Sequence, residues 1–262
     1  MIFFQAVRYL NYILLSRHRK GHGIHSPFVF NIISNVFRNK IDPEIISVAE
    51  NLRKKMISDR RTIFVNDLGS GVLSLKNNCR KVSEIARKSS VPAKYGILLS
   101  NLASEFGKPM IIEFGTSLGI STVYLAASNR NSSVTTIEGC HATAEIAKQN
   151  FADAGLNHIK VIVDSFDHIL PEFAISNLKP GLVFIDGNHR KEPVIRYFNL
   201  MAELADTNSV IVIDDIYSSK EMAEAWSIIK LHTKVSVSID IFRMGILFFR
   251  GGINHNNYII RY

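Results

Sequence analysis

Cysteine is nearly absent from this 262-residue chain. Cys79 and Cys140 cannot build a disulfide framework, and a reducing cytoplasm is the compartment they lead one to expect. No apolar run approaches the ~18 residues of a spanning helix. The opening MIFFQAVRYLNYILLSRHRK is greasy, but Arg8 interrupts it and no small-residue cleavage site follows, so it does not read as a signal peptide. Internal repeats and low-complexity tracts are missing too. Acidic residues run short only at the front: residues 1–95 hold 17 Lys/Arg against 6 Asp/Glu, while residues 96–262 hold 14 against 17. That basic front could attract an anionic partner, but no nucleic-acid-binding motif accompanies it.

What is present begins near residue 110. Apolar, β-branched segments at 110–114, 134–138, 159–163, 182–186 and 209–214 alternate with helical spacings at 117–128, 142–154, 191–205 and 218–232. The link 165–178 is shorter and broken by Pro171. Alternation of this kind predicts a parallel sheet covered by helices on both faces. VSVSIDIF and GILFFR, separated only by Arg243 and Met244, predict a closing antiparallel hairpin. The expectation is a doubly wound, seven-stranded, mostly parallel α/β sheet over residues 93–262, with a basic, mainly helical cap at 1–92. In the cap, FFQAVRYLNYILL has its polar Gln5, Arg8 and Asn11 three apart. The wide apolar face this leaves would pack on the core or on a second copy of the chain.

Two stretches compete to be a ligand-binding glycine loop, DLGSG at 67–71 and EFGTSLG at 113–119. Such a loop needs a buried strand before it, a helix after it, and an acid at the tip of the next strand to receive ribose hydroxyls. Behind DLGSG comes a basic, polar stretch interrupted by Pro92. Behind EFGTSLG comes a helix and then SVTTIEGC, which ends in Glu138. The second loop meets the requirement. Its pattern is E-x-G-x-x-x-G and not the dinucleotide G-x-G-x-x-G, and an acid at Glu113 suits a cationic amine or sulfonium better than a phosphate.

IIEFGTSLGIST, TTIEG, VIVDSF, LVFIDGNH and VIVIDDIY follow one another in order at expected strand ends. On these motifs residues 93–250 resemble class I S-adenosylmethionine-dependent methyltransferases, in particular the small-molecule O-methyltransferase branch that includes catechol O-methyltransferase. The resemblance implies that Glu113, Gly115, Thr116, Ser117, Gly119 and Ser121 surround the methionine end of the cofactor. It implies that Glu138, with Gly139 beside it, binds the ribose hydroxyls and that Asp164 and Ser165 flank the adenine.

Methyl transfer to oxygen needs the acceptor's proton removed by a base, or its pKa lowered by a cation. Asp186, at the fourth strand tip, and Asp214 and Asp215, at the fifth, offer hard oxygen ligands suited to Mg²⁺ or another divalent cation. His189 stands three residues after Asp186, the offset at which the resemblance implies a proton-accepting residue. Arg190 and Lys191 could orient an acidic small-molecule acceptor. His18, His22 and His25 lie in a glycine-containing basic stretch and have no cysteine partners for zinc. Competing expectations are an RNA methyltransferase gripping phosphates with the basic front, and a non-catalytic S-adenosylmethionine-binding module. A homodimer formed through the N-terminal helix is a further expectation.

Overall fold

The computed structural model describes residues 2–16, 24–66 and 78–262. DLGSG, His18 and His22 lie outside the described residues. The chain folds as two compact units, one of residues 40–176 and one of residues 1–39 with 177–262.

The second-named unit opens with helix α1 (Ile2–Leu15), free of proline and glycine. Phe3, Leu10, Leu14 and Leu15 on α1 are exposed, whereas Tyr12 is buried. The Tyr12 hydroxyl donates to the Ile260 carbonyl at 2.7 Å, and Gln5 donates to the Ser218 carbonyl at 3.0 Å. Helix α2 (Pro27–Asn31) starts at a Ser26 cap with Pro27 in the first turn, where a missing N–H costs nothing.

In the 40–176 unit, α3 (Pro43–Ser58) is capped by Asp42. A short antiparallel ribbon follows, β1 (Thr62–Phe64) with β2 (Cys79–Lys81), which the sequence did not suggest. Then come α4 (Val82–Ser89), α5 (Ala93–Phe106), β3 (Met110–Phe114), α6 (Ile120–Ala127), β4 (Ser133–Glu138), α7 (His141–Asp153), β5 (Ile159–Val163) and α8 (Phe166–Ala174). β4 lies between β3 and β5, parallel to both, with Glu113 opposite Thr136 and Glu138 opposite Val163. Gly96 on α5 presses against the Tyr124 ring of α6, where an added Cβ would come within 2.3 Å. The Tyr124 hydroxyl reaches Glu50 of α3 at 2.9 Å, fastening α3 to the same layer. Pro171, expected to break the chain, sits inside α8. The Ser165 cap and the buried Ile169, Leu170 and Phe173 outweigh the one lost N–H.

The other unit resumes with β6 (Leu182–Ile185), α9 (Lys191–Leu204), β7 (Val210–Ile213), α10 (Lys220–Ile229), β8 (Val237–Asp240), β9 (Gly245–Phe248) and β10 (Asn256–Ile259). Its strand order is β6-β7-β9-β8-β10. β6 and β7 are parallel, and β9 runs antiparallel to both β7 and β8, which is the expected hairpin. Gly245 is required there, because a Cβ would meet the Trp226 ring at 2.5 Å. Among the described residues the sheet counts eight strands and not seven. The extra strand is β10, parallel to β8, whose Asn256-Asn257-Tyr258-Ile259 lacks the apolar run of a buried strand. Among the described residues no helix is long and apolar enough to cross a membrane.

Candidate active site

The loop after β3 is built from residues with positive φ: Gly115 at 105°, Ser117 at 48° and Gly119 at 85°. The amides of Gly115 and Thr116 donate to the Ile137 carbonyl at 3.0 and 3.3 Å, folding the loop over the end of β4. Gly119 caps α6, and a Cβ on it would stand 2.5 Å from the Phe151 ring, so backbone angle and space both demand glycine. Glu138, half-buried at the tip of β4, closes the arrangement. Its Oε2 accepts from the Ser117 amide at 2.7 Å and its Oε1 from the Cys140 amide at 2.9 Å. These two amides fix the carboxylate in place at the strand tip. Gly139, beside it, is half-buried.

Glu113 lies deeper than the sequence implied. It is fully buried. Its Oε2 accepts from the Thr122 hydroxyl and, at 2.7 Å, from the Thr136 hydroxyl, which also meets Thr116 at 2.6 Å. Among the described residues its buried Oε1 has no hydrogen-bond partner. Burial pushes the carboxyl up to about 7, against the hydroxyls of Thr122, Ser121 and Thr136, which favour the charged form. The buried Ser121 thus faces Glu113 as part of its hydroxyl surround.

At the tip of β5, Asp164 accepts from the Ser165 amide at 2.7 Å, and Ser165 caps α8 by accepting from the His168 amide at 3.2 Å. His168, not singled out in the sequence, meets Asp164 through Nδ1 at 2.5 Å. That contact holds the Asp164 carboxyl below its usual range and the His168 imidazole above its own. The four-residue spacing across a helix start was the signal available.

In the other unit, Asp186 follows β6 and His189 stands on the loop beyond it, its Nε2 3.6 Å from Asp186 Oδ1. Asn188, with φ of 53°, fixes this loop by donating to the hydroxyl of the buried Tyr197 at 2.9 Å. Asp214, after β7, is fully buried, and Asp215 beside it has φ of 52°. Arg243, from the turn between β8 and β9, reaches them. Its Nε lies 3.0 Å from Asp214 Oδ1, and its Nη2 lies 2.7 Å from Asp214 Oδ2 and 3.5 Å from Asp215 Oδ1. Burial raises the Asp214 carboxyl, the charge of Asp215 adds to that, and Arg243 opposes both. Burial works against the Arg243 charge as well, but Asp214, Asp215 and Asp186 together hold it firmly protonated. Among the described residues no three His, Cys, Asp or Glu side chains form a metal-ligating group. A guanidinium fork engages both oxygens of the most buried candidate ligand and sets a fixed positive charge beside Asp215 as well, so Asp186, Asp214 and Asp215 as arranged do not fit the divalent cation expected from them.

Residues 112–216 match a family model described as a methyltransferase domain. The chain carries a methyltransferase domain. Every residue expected to serve the cofactor, the proton or the cation, from Glu113 to Asp215, lies inside it, whereas Arg243 lies beyond its end. Over 157 residues the chain is 26% identical to an O-methyltransferase of Aspergillus flavus, covering 58% of this chain and 62% of that protein. Over 129 residues it is 33% identical to a catechol O-methyltransferase of Mycobacterium tuberculosis, covering 48% and 57%. The chain thus spans about six-tenths of the length of these curated relatives. Among solved structures, it is similar to the O-methyltransferase from Streptomyces achromogenes involved in tomaymycin synthesis, in complex with SAM. The TM-score is 0.56 at 20% identity, covering 86% of this chain and 95% of that one. An O-methyltransferase from Bacillus cereus, in complex with SAH, gives 0.56 at 18% identity, covering 84% and 97%. At these identities the likeness of the methyltransferase domain to solved structures is one of fold.

Proposed function

We propose that the chain is an S-adenosylmethionine-dependent O-methyltransferase acting on a hydroxyl group of a small molecule. Glu138 carries the proposal: an acid at the tip of the strand after the glycine turn, held through one oxygen by the Ser117 amide of that turn and through the other by the Cys140 amide, at the place where ribose hydroxyls are received. The turn 115–119 gives a ligand access to backbone, and the unpartnered buried Oε1 of Glu113 is a polar atom awaiting a donor. Thr116, Ser117 and Ser121 would line the methionine end, and Asp164 and Ser165 the adenine end. S-Adenosylmethionine, when bound, supplies a methyl group on a sulfonium sulfur.

What the chain adds is proton handling and orientation. His189 Nε2 would take the acceptor's hydroxyl proton, and the Asp186 carboxylate 3.6 Å away stabilises the imidazolium that results. Asn188 keeps this loop at one height through Tyr197. The surplus of Lys and Arg in residues 1–95 favours an acceptor bearing an acidic group. The exposed Phe3, Leu10 and Leu14 of α1 favour a homodimer formed through that helix. The free cysteines, Cys79 exposed and Cys140 buried, suit a reducing cytoplasm.

Calorimetric titration with S-adenosylmethionine, in Mg²⁺ and again in a chelator, tests the core of the proposal. Binding is expected in both, weakened about tenfold or more in Glu138→Gln by loss of charge-assisted hydrogen bonds. Absence of binding to the folded protein would end the assignment.

A further inference from the structure

We propose that Arg243 holds the place a divalent cation would take among Asp186, Asp214 and Asp215, so that this methyltransferase works without a divalent metal. The consequence for turnover rests on the methyltransferase reading, but the occupancy of the site by arginine does not.

Four observations converge. The Arg243 guanidinium meets Asp214 as a fork, Nε to Oδ1 at 3.0 Å and Nη2 to Oδ2 at 2.7 Å, the planar geometry in which arginine pairs most strongly with a carboxylate. Asp214 is fully buried, so an ion entering here must first break that fork and leave a guanidinium without its partner. The same guanidinium is 3.5 Å from Asp215, so one cation already bridges the two adjacent carboxylates, and it lies within reach of the charge of Asp186. Finally, the backbone fixes the side chain's origin. The Ile216 amide donates to the Arg243 carbonyl at 3.1 Å, tying the β8–β9 turn to the residue next to Asp215.

The ring cluster around Phe242 braces that turn. Phe242 has φ of 71°, and its ring lies 5.0 Å from Tyr9, 5.4 Å from Tyr12 and 5.6 Å from Tyr217. Its amide donates to the buried Asp240 at 2.8 Å, and Asp240 also accepts from Tyr217 and Trp226. Arg243 is therefore delivered by a rigid turn and does not drift in on a mobile surface loop. A divalent ion at such a site would hold charge and geometry together. Here the guanidinium supplies the charge and the turn supplies the geometry. Arg243 is thus a positioning residue that holds the Asp214–Asp215 loop in its strained conformation and spares the site a metal.

Mn²⁺ binding, followed by electron paramagnetic resonance, tests this in wild type, Arg243→Ala and Arg243→Ala/Asp214→Asn, with melting curves to verify folding. Wild type is expected to show no saturable Mn²⁺ site at millimolar concentration. Arg243→Ala should gain a site at least about tenfold tighter than anything wild type offers, and the double variant should lose it. Stoichiometric binding by wild type that Asp214→Asn abolishes would overturn the proposal, as would a folded Arg243→Ala that gains nothing. Should Arg243→Ala not fold, Arg243→Gln takes its place. S-Adenosylmethionine titration of the same samples keeps the two readings apart. Failure to bind that ligand condemns the methyltransferase assignment, and Mn²⁺ binding by wild type condemns only the arginine.

Discussion

Glu113 offers the sharpest quantitative test, because its burial and its expected service to a ligand pull in opposite directions. The carboxyl is fully buried in β3, with two threonine hydroxyls on Oε2, the Ser121 hydroxyl facing the group, and no hydrogen-bond partner on Oε1 among the described residues. Burial raises it from 4.5 to about 7. The unfolded chain gives up this proton near 4.5, while the native protein keeps it until about 7. Between those values the native state holds a proton that the unfolded state has lost, so stability falls as pH rises and levels off above 7. At about 1.4 kcal/mol per pH unit, the stability lost across that interval is about 3 kcal/mol.

Glu113→Gln removes the titration and keeps the shape. Urea unfolding followed by far-UV circular dichroism at several values from pH 4.5 to 8 gives the difference in stability between variant and wild type. That difference is expected to climb by about 3 kcal/mol in favour of glutamine across the interval. Its absolute offset depends on how the new amide is accommodated, but its slope does not. A flat difference would refute the account and place the proton elsewhere. The same variant should bind S-adenosylmethionine more weakly at pH 8, when the wild-type carboxylate is charged. Gained stability with unchanged affinity would mean that Glu113 serves the fold alone.

Gly119→Ala combines a left-handed φ with a Cβ 2.5 Å from Phe151, and is expected to cost about 2–5 kcal/mol, read as a fall in Tm of about 5–15 °C. A fall under about 2 °C would show that α6 shifts to make room. His189→Ala should lower kcat about a hundredfold or more while the Kd for S-adenosylmethionine stays put, and equal losses in both would move His189 from proton transfer to binding. Leu10→Glu with Leu14→Glu on α1 should convert a dimer to a monomer in sedimentation equilibrium, and a wild type that is monomeric at high concentration would remove the dimer.

The sheet was legible wherever a strand carries an unbroken or β-branched apolar run, whether it is buried as β3 is or only partly covered as β5 is. Segments 110–114 and 159–163 match β3 and β5 at both ends, and the Arg243-Met244 spacing gave the antiparallel pair β8 and β9. Misses fall where the apolar run is absent or the strand is very short. β10 lies at the sheet edge with its asparagines exposed, so no apolar pattern marks it, and its pairing with β8 depends on contacts about twenty residues back in sequence. The β1–β2 ribbon is three residues long on each side and mostly exposed, too short for any period to register. Pro171 misled for a different reason. A proline forbids one hydrogen bond, whereas three buried side chains and a serine cap favour the helix, and the larger sum prevails.

The candidate site divides along the same physical line. Glycines and acids at strand tips are visible in sequence because each is a local demand: Gly115 and Gly119 for positive φ, Glu138 for an acid one strand later. His168 acts four residues from its partner Asp164, so it too left a trace, a histidine one helical turn after an aspartate. Arg243 left none. Its partner Asp214 is 29 residues upstream, and an arginine in a tight turn between two strands looks like an ordinary exposed turn residue. Only folding the turn back onto the end of β7 turns it into the counter-charge of a buried carboxylate. Three aspartates at two strand tips read as a cation site because sequence displays ligands and hides what already sits among them. Whether a carboxylate cluster awaits a metal is therefore decided by the nearest long cationic side chain, and here that side chain arrives from outside the residues that define the methyltransferase domain.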